Sequence, residues 1–287
     1  MVPTQRGGSS RDPAACHRPG PIVAAMDWIL VTNDDGVDAP GLPALARAMA
    51  ALAPVRVVAP DRERSWVGKA ITRFEPVTVE VVERDGVEIH AVSGYPADCA
   101  QLGIHTLFGK PPRLLVSGVN IGFNHGSAYL QSSGTVGAAL EASISGIDAL
   151  AFSTQSLQRP WSEWRPWAMS PASIPMWERV ATVAADITSP ALATAPQGLL
   201  ISVNLPDTAD PSTPRRLTTV ASVGYDRLFR RAAEGTFVHD YRGFLNHFAS
   251  LAGTDVQAAA EGFVSITALQ PAHSVDLPEG LRRALRV

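Results

Sequence analysis

The strongest constraint on this chain is a recurring short run of apolar, β-rich residues with almost no polar alternation. Trp28–Asn33 reads WILVTN, Val55–Ala59 VRVVA, Leu114–Ser117 LLVS, Ala149–Ser153 ALAFS and Leu199–Asn204 LLISVN. A strand with one wet face alternates, whereas a strand covered on both faces reads as a near-continuous apolar run. Between the first two runs, Gly41–Ala53 sets Leu42, Leu45, Met49 and Leu52 at helical spacing, and Pro54 ends the pattern. Strand, helix and strand in this order predict a βαβ unit with a right-handed crossover. Ala97–Phe108, Gly134–Gly146 and Met176–Ile187 read as further helices. Val77–Glu83 and Val87–Val92 alternate around Asp85-Gly86, which predicts a hairpin. Leu217–Val223 and Phe263–Leu269 read as strands of a less regular α+β region, and Leu281–Val287 as a short terminal helix.

Composition narrows the class. A 46% hydrophobic fraction suits a packed core. A net charge of −3 argues against a nucleic-acid partner, which would need a basic surface. No apolar run approaches the roughly 20 residues of a membrane helix, so no membrane partner is expected. Two cysteines cannot form a disulfide scaffold, and a cytoplasmic location follows as the expectation. Residues 1–25, rich in Pro, Gly, Ser and Arg, read as a disordered tail. The remainder divides into residues 26–155, with regular strand and helix alternation, and residues 156–287.

In an open α/β sheet, ligands bind outside the carboxyl ends of the strands. Three unusually polar loops leave such ends: Asn33–Gly36, Pro60–Ser65 and Ser117–Gly126. In the first, the adjacent carboxylates of Asp34 and Asp35 repel one another unless a cation or proton lies between them, and hard oxygen donors suit Mg²⁺ or Mn²⁺. A plain Asp-Gly turn accounts for the same residues. The third loop is rich in Gly and Asn and leads to Ser133-Gly134-Thr135 at a helix start. That is a helix cap, an anion site, or both. No Gly-Lys-Ser/Thr phosphate loop and no Gly-x-Gly-x-x-Gly after the first strand are present. A metal beside an anion pocket points to phosphoryl-group hydrolysis.

Four motifs occur in order: NDDGVDAPG at Asn33–Gly41, VVAPDRERS at Val57–Ser65, SGVNIGFNHG at Ser117–Gly126 and SGTVGAALE at Ser133–Glu141. In sequence and spacing they resemble the SurE family of metal-dependent nucleoside-monophosphate phosphatases. The likeness spans Trp28 to Ser153 and resumes at Val203–Asp207 and Gly253–Thr267. It implies an α/β fold with a Rossmann-like three-layer αβα core, a mostly parallel sheet and a smaller C-terminal α+β oligomerisation part. Residues 26–155 become the catalytic region and 156–287 the substrate and oligomerisation region. The resemblance places one divalent metal ion per subunit on Asp34, Asp35, Ser65 and Asn120. It assigns catalysis to Asp34, Asp35 and Asn120, and substrate and phosphate contacts to Asn33, Gly36, Asn124, Ser133, Gly134 and Thr135. The implied partner is a small nucleotide, and the implied assembly a homodimer or homotetramer. The attacking group is either a water on the metal or Asp34 itself.

The chain also departs from the family pattern. Trp66–Thr72 reads WVGKAIT, with a Trp in place of a Gly and without the Ser-Asn of the family loop. A shifted substrate, such as another small phosphomonoester or a short polyphosphate, is therefore an alternative, as is a non-catalytic nucleotide-binding protein. Lys69 is either a solvated lysine or a phosphate contact. His125 is either a loop-packing residue or a proton donor. Trp161, Trp164 and Trp167 sit in a Pro-rich insertion and suit an interface or self-packing more than base stacking. Cys99 reads as a small buried residue, and His90 and His105 as structural.

Overall fold

The computed structural model describes residues 28–194, 197–241, 243, 245–270, 279 and 282. The tail expected over residues 1–25 lies outside the described residues, as does all but Arg282 of the helix expected at Leu281–Val287. The chain runs through β1 (Ile29–Thr32), α1 (Gly41–Ala50), β2 (Val55–Pro60), β3 (Val79–Arg84), β4 (Val87–Val92), α2 (Pro96–His105) and β5 (Leu114–Ile121). It continues through α3 (Gly126–Ser132), α4 (Gly134–Ile144), β6 (Asp148–Gln155), α5 (Trp161–Ala168), α6 (Ile174–Leu192) and β7 (Leu200–Pro206). Then follow β8 (Arg215–Leu217), β9 (Val223–Tyr225), β10 (Phe229–Ala233), β11 (Thr236–His239), β12 (Leu245–His247), α7 (Asp255–Ala260) and β13 (Val264–Leu269).

Nine strands form one sheet in the order β3-β4-β2-β1-β5-β6-β7-β13-β8. From β4 to β7 every neighbouring pair is parallel. The expected apolar runs supply this buried centre, and both faces are covered. Ile29 and Val31 of β1 point into a core with Leu42, Leu45 and Met49 of α1 and Trp177 and Val180 of α6. Leu30, between them, points to the opposite core with Cys99 and Ile104 of α2 and Val136 and Ala139 of α4. Period-two geometry sends neighbouring side chains to opposite faces, so an all-apolar strand requires two helical layers. This is the expected three-layer α/β fold. The sheet runs on beyond residue 155 through β7 and β13, which pair antiparallel.

The chain passes from β1 to β2 on one side of the sheet and reaches β5 on the other. Strand order thus reverses at β1, and the carboxyl ends of β1 and β5 border the crevice where such folds bind ligands. At the far edge, Asp85 and Gly86 have φ of 47° and 76°, matching a tight hairpin turn between β3 and β4.

Two expectations change. Leu217–Val223 is not a continuous strand: Thr218 N donates to Ile266 O, Thr219 N to Gly253 O and Ala221 N to the Asp255 carboxylate. The first of these still pairs with β13 in the sheet, and the other two draw the backbone off it towards α7. The strand expected to stop at Ser117 continues to Ile121, with a register shift between Ser117 and Asn120. Gly118, at φ 130°, absorbs the shift.

Leu30 is fully buried at the centre of the helix-covered face. Leu30→Ala is expected to cost about 2–5 kcal/mol. Chemical denaturation checks this, and a change below about 1 kcal/mol would contradict the two-faced burial of β1.

Candidate active site

The crevice is built at the end of β1. Asn33 closes the turn, its Nδ2 donating to Gly36 O at 3.0 Å and its Oδ1 accepting from Gly36 N at 3.3 Å. Gly36 has φ of 90°, and a Cβ there would lie 2.6 Å from the Arg62 carbonyl carbon. Only glycine fits, because the Pro60–Ser65 loop crosses directly above. Arg64 N donates to Asp34 O at 2.7 Å and completes the junction.

Asp34 is buried against the start of α4. Thr135 Oγ1 donates to Asp34 Oδ1 at 2.5 Å. A Cβ on Gly134 would lie 2.8 Å from Asp34 Cβ and 3.1 Å from Asp34 Oδ2. The carboxylate therefore meets a helix N-terminus with no side chain between them, where backbone N–H groups and the helix dipole favour negative charge. Ser133 caps this helix, its Oγ accepting from Val136 N at 3.1 Å. Half-buried Asp35 turns towards β5 and accepts at Oδ2 from Ile121 N at 3.0 Å. Asn120 donates from Nδ2 to Gly122 O at 2.7 Å, so Oδ1 is the atom it could offer to a cation. Asn124 is buried, with its N–H on Asn204 Oδ1 at 2.8 Å and its Nδ2 on Ser153 Oγ at 2.8 Å.

Asn33, Asp34, Asp35, Gly36, Asn120, Asn124, Ser133, Gly134 and Thr135 thus gather at one edge. Two placements differ in detail. The Thr135 hydroxyl, which could hold an anion, is committed to Asp34 and orients that carboxylate. Ser65 is exposed, and its hydroxyl donates to Glu63 Oε1 at 2.7 Å.

The electrostatics follow from burial. Desolvation pushes the Asp34 carboxyl up from 3.8 to about 6, against the Thr135 hydrogen bond, with Glu63 adding to the rise. Asp35 is pushed well above its ordinary value, first by burial and then by the charge of Asp34; the Ile121 N–H opposes this. Two close carboxylates that resist ionisation suit a cation. Among the described residues no three His, Cys, Asp or Glu side chains converge as a metal cluster. The oxygens of the two carboxylates, with neutral oxygens of Asn120 and Ser65, are hard donors of the kind that suits Mg²⁺ or Mn²⁺ more than a thiolate-type zinc site.

Sequence spacing did not reveal three contributors. Glu63 adds negative charge beside both carboxylates and pairs with Arg165 of α5, whose charge counters it at Asp35. Buried Asp255 accepts from Gly126 N at 2.8 Å and Ala221 N at 2.9 Å, pinning the third loop to α7. A Thr254 cap at the start of a helix was the only local signal of that position.

Other residues are resolved. Lys69 forms an ion pair with buried Glu141, so it is not simply a free surface lysine. Trp164 and Trp167 pack in the core against one another, as self-packing predicts, while Trp161 lies against Gly122 at the site edge. Cys99 is buried, which pushes its thiol well up and removes it as a nucleophile. His90 rests edge-on against Phe108, and His105 bonds Ser145 Oγ at 3.2 Å.

Fold and site together define a Rossmann-like α/β protein with a carboxylate pair and a helix N-terminus at its topological switch point. The family model described as Survival protein SurE matches residues 29–227, and the chain belongs to the SurE family. It is 38% identical over 253 residues to the "5'-nucleotidase SurE" of Geotalea uraniireducens, covering 84% of this chain and 92% of that protein. To the protein of the same name in Geotalea daltonii it is 39% identical over 252 residues, covering 84% and 92%. The crystal structure of SurE from Aquifex aeolicus superposes with a TM-score of 0.66 at 29% identity, covering 90% of this chain and 97% of that one.

In the metal-free protein the raised Asp34 pKa sets a sign. The stability contribution of a carboxyl raised on folding is present below about 3.8 and lost as pH rises through about 6. Mn²⁺ or Mg²⁺ should relieve that loss, so the metal-induced rise in Tm is expected to be several degrees near about pH 8 and small near about pH 5. Differential scanning calorimetry at both pH values checks this. Equal shifts at the two, or a full shift in an Asp34→Asn/Asp35→Asn variant, would count against the pair as a cation site.

Proposed function

We propose that this chain is a divalent-metal-dependent phosphatase that hydrolyses nucleoside monophosphates to nucleoside and inorganic phosphate. The carrying observation is the burial of Asp34 against the N-terminus of α4, next to the Asp35 carboxylate that turns towards β5. Relatives named 5'-nucleotidase at 38% identity over most of both chains support the same reading.

The residues divide the work. Asp34, Asp35, Asn120 and Ser65 would hold one Mg²⁺ or Mn²⁺ ion per subunit. When bound, that ion supplies Lewis-acid polarisation and charge neutralisation at the phosphoryl group. The backbone N–H groups at the start of α4, with the Ser133 hydroxyl proton, bind phosphate oxygens. Thr135 keeps Asp34 aimed and ionised through its hydrogen bond. Asn124, held by Asn204 and Ser153 and with its Nδ2 3.5 Å from Thr135 Oγ1, would line the site together with Asn33 and Gly36. These donors are fixed before substrate arrives, so little reorganisation is needed as charge develops in the transition state.

The wider assignment follows from the same reading. Residues 26–155 carry the chemistry, and 156–287 supply substrate contacts and a homodimer or homotetramer interface. Among the described residues no helix is long and apolar enough to cross a membrane. A cytoplasmic location is proposed from the scarcity of cysteine.

Two measurements test this. Phosphate release from a panel of nucleoside monophosphates should require Mn²⁺ or Mg²⁺ and stop with chelator. Asp34→Asn should lower kcat by about 100-fold or more with an unchanged circular dichroism spectrum. Near-normal turnover in that variant would remove Asp34 from the chemistry. Gly134→Ala, which drives a methyl against the Asp34 side chain, should lower kcat/KM by about 10-fold or more by displacing the carboxylate. Unaltered kinetics there would show that the close approach has no role.

A further inference from the structure

One group of side chains near the site has no part in the mechanism above. Trp66 follows Ser65 directly and holds φ of 61°, a left-handed conformation that a bulky residue adopts only at a cost. Core packing does not explain that cost, because the indole is 43% exposed. Four rings surround it: Tyr225 at 5.2 Å and 43°, His239 at 5.1 Å and 65°, Tyr129 at 6.1 Å and 65°, and Tyr241 at 5.7 Å and 73°. They come from α3, β9 and the end of β11 onward. All four are tilted or edge-on to the indole, and none is stacked parallel on its face.

The group is joined covalently and by hydrogen bonds to the phosphate-binding end of the crevice. Gly68 N donates to Ser132 O at 2.8 Å, and the Tyr225 and Ser132 hydroxyls lie 2.5 Å apart. Ser132 immediately precedes Ser133, the cap of α4. Tyr129 and Tyr241 share a hydrogen bond of 2.7 Å, which fixes the wall behind the indole. A planar, partly exposed ring is thus anchored one residue from the proposed ligand Ser65 and beside the anion cradle. Bases stack on aromatic side chains in this way without regard to their identity, through their π faces.

We propose that Trp66, backed by Tyr129, Tyr225 and Tyr241, is a specificity-determining residue that stacks the base of the nucleoside monophosphate. It selects nucleotides over sugar phosphates that lack a base. This rests on the phosphatase reading above for the position of the phosphate. The loop that departs from the family pattern is then a base platform and keeps nucleotides as the substrate class, with no need for a polyphosphate.

The test compares kcat/KM for adenosine 5′-monophosphate with that for ribose 5-phosphate, using the full chain with Mn²⁺. Trp66→Gly removes the ring while relieving the left-handed backbone, and Trp66→Phe keeps a ring. The ratio of the two substrates is expected to fall about 10- to 100-fold in Trp66→Gly, through KM for the nucleotide, and to recover largely in Trp66→Phe. A ratio unchanged in Trp66→Gly, or an equal loss on both substrates, would overturn the platform. Should the wild-type protein release phosphate from neither compound, the phosphatase reading fails by itself. Trp66 is then judged by calorimetric binding of the same two compounds. Nucleotide affinity weakened about 10-fold by Trp66→Gly supports it, and equal wild-type affinity for both compounds refutes it.

Discussion

The contact on which the site depends is that between Asp34 and the first residues of α4. A carboxylate at the end of a buried strand is costly unless something stabilises its charge. Here the Thr135 hydroxyl reaches Oδ1, and the absent side chain of Gly134 lets the helix N-terminus come against it. The same helix presents Gly137 to the Trp66–Lys69 loop, where a Cβ would overlap the Gly68 carbonyl. Small residues on α4 therefore bring two different loops to one helix end. One carries the carboxylates and the other the aromatic ring, and a larger side chain at either glycine would separate them.

The sheet fixes where this can happen. β1 is buried on both faces and neighbours β2 on one side and β5 on the other, so loops leaving it cannot be covered by a further strand. The acidic turn, the Asn-rich loop after β5 and the cap of α4 meet at that gap. Much of their polarity is met by partners: Asn33 with Gly36, Asp35 with Ile121 N, and Asn124 with Ser153 and Asn204, while the buried Ser117 Oγ and His125 Nδ1 have none. Asp255 extends the network to α7 and ties the geometry of the third loop to the part of the chain beyond the parallel strands.

Much of this was legible in the sequence because it rests on local signals. Wholly apolar runs mark strands buried on both faces, Pro54 ends α1, and Asp85-Gly86 makes a hairpin turn. The β1 turn, the α4 cap and the Asn-rich loop are each contiguous. What stayed hidden depends on side chains far apart in the chain. The seven residues of α3 are too few to establish a period, and Pro166 within α5 disguises that helix. Leu217–Val223 has strand composition, but the Thr219 and Ala221 N–H groups find partners off the sheet. Lys69 looks free until Glu141 is folded against it, and Trp66 looks like a substitution until four rings from three later segments surround it.

The pair Glu63 and Arg165 shows how the site field is set by residues that contribute little to stability. Both side chains are near half exposed, so as an ion pair they are worth at most about 1 kcal/mol. Their effect is local. Glu63 alone would add a third negative charge beside Asp34 and Asp35 and raise both further. Arg165, brought in by α5, offsets that charge at Asp35 without entering the donor set. The two aspartates then differ: Asp34 is tuned by a short hydrogen bond and a helix end, and Asp35 by a backbone N–H and a nearby cationic side chain. A net charge of −3 over the whole chain gives no hint of this arrangement, in which a concentrated acidic centre is countered by helix N–H groups and one arginine.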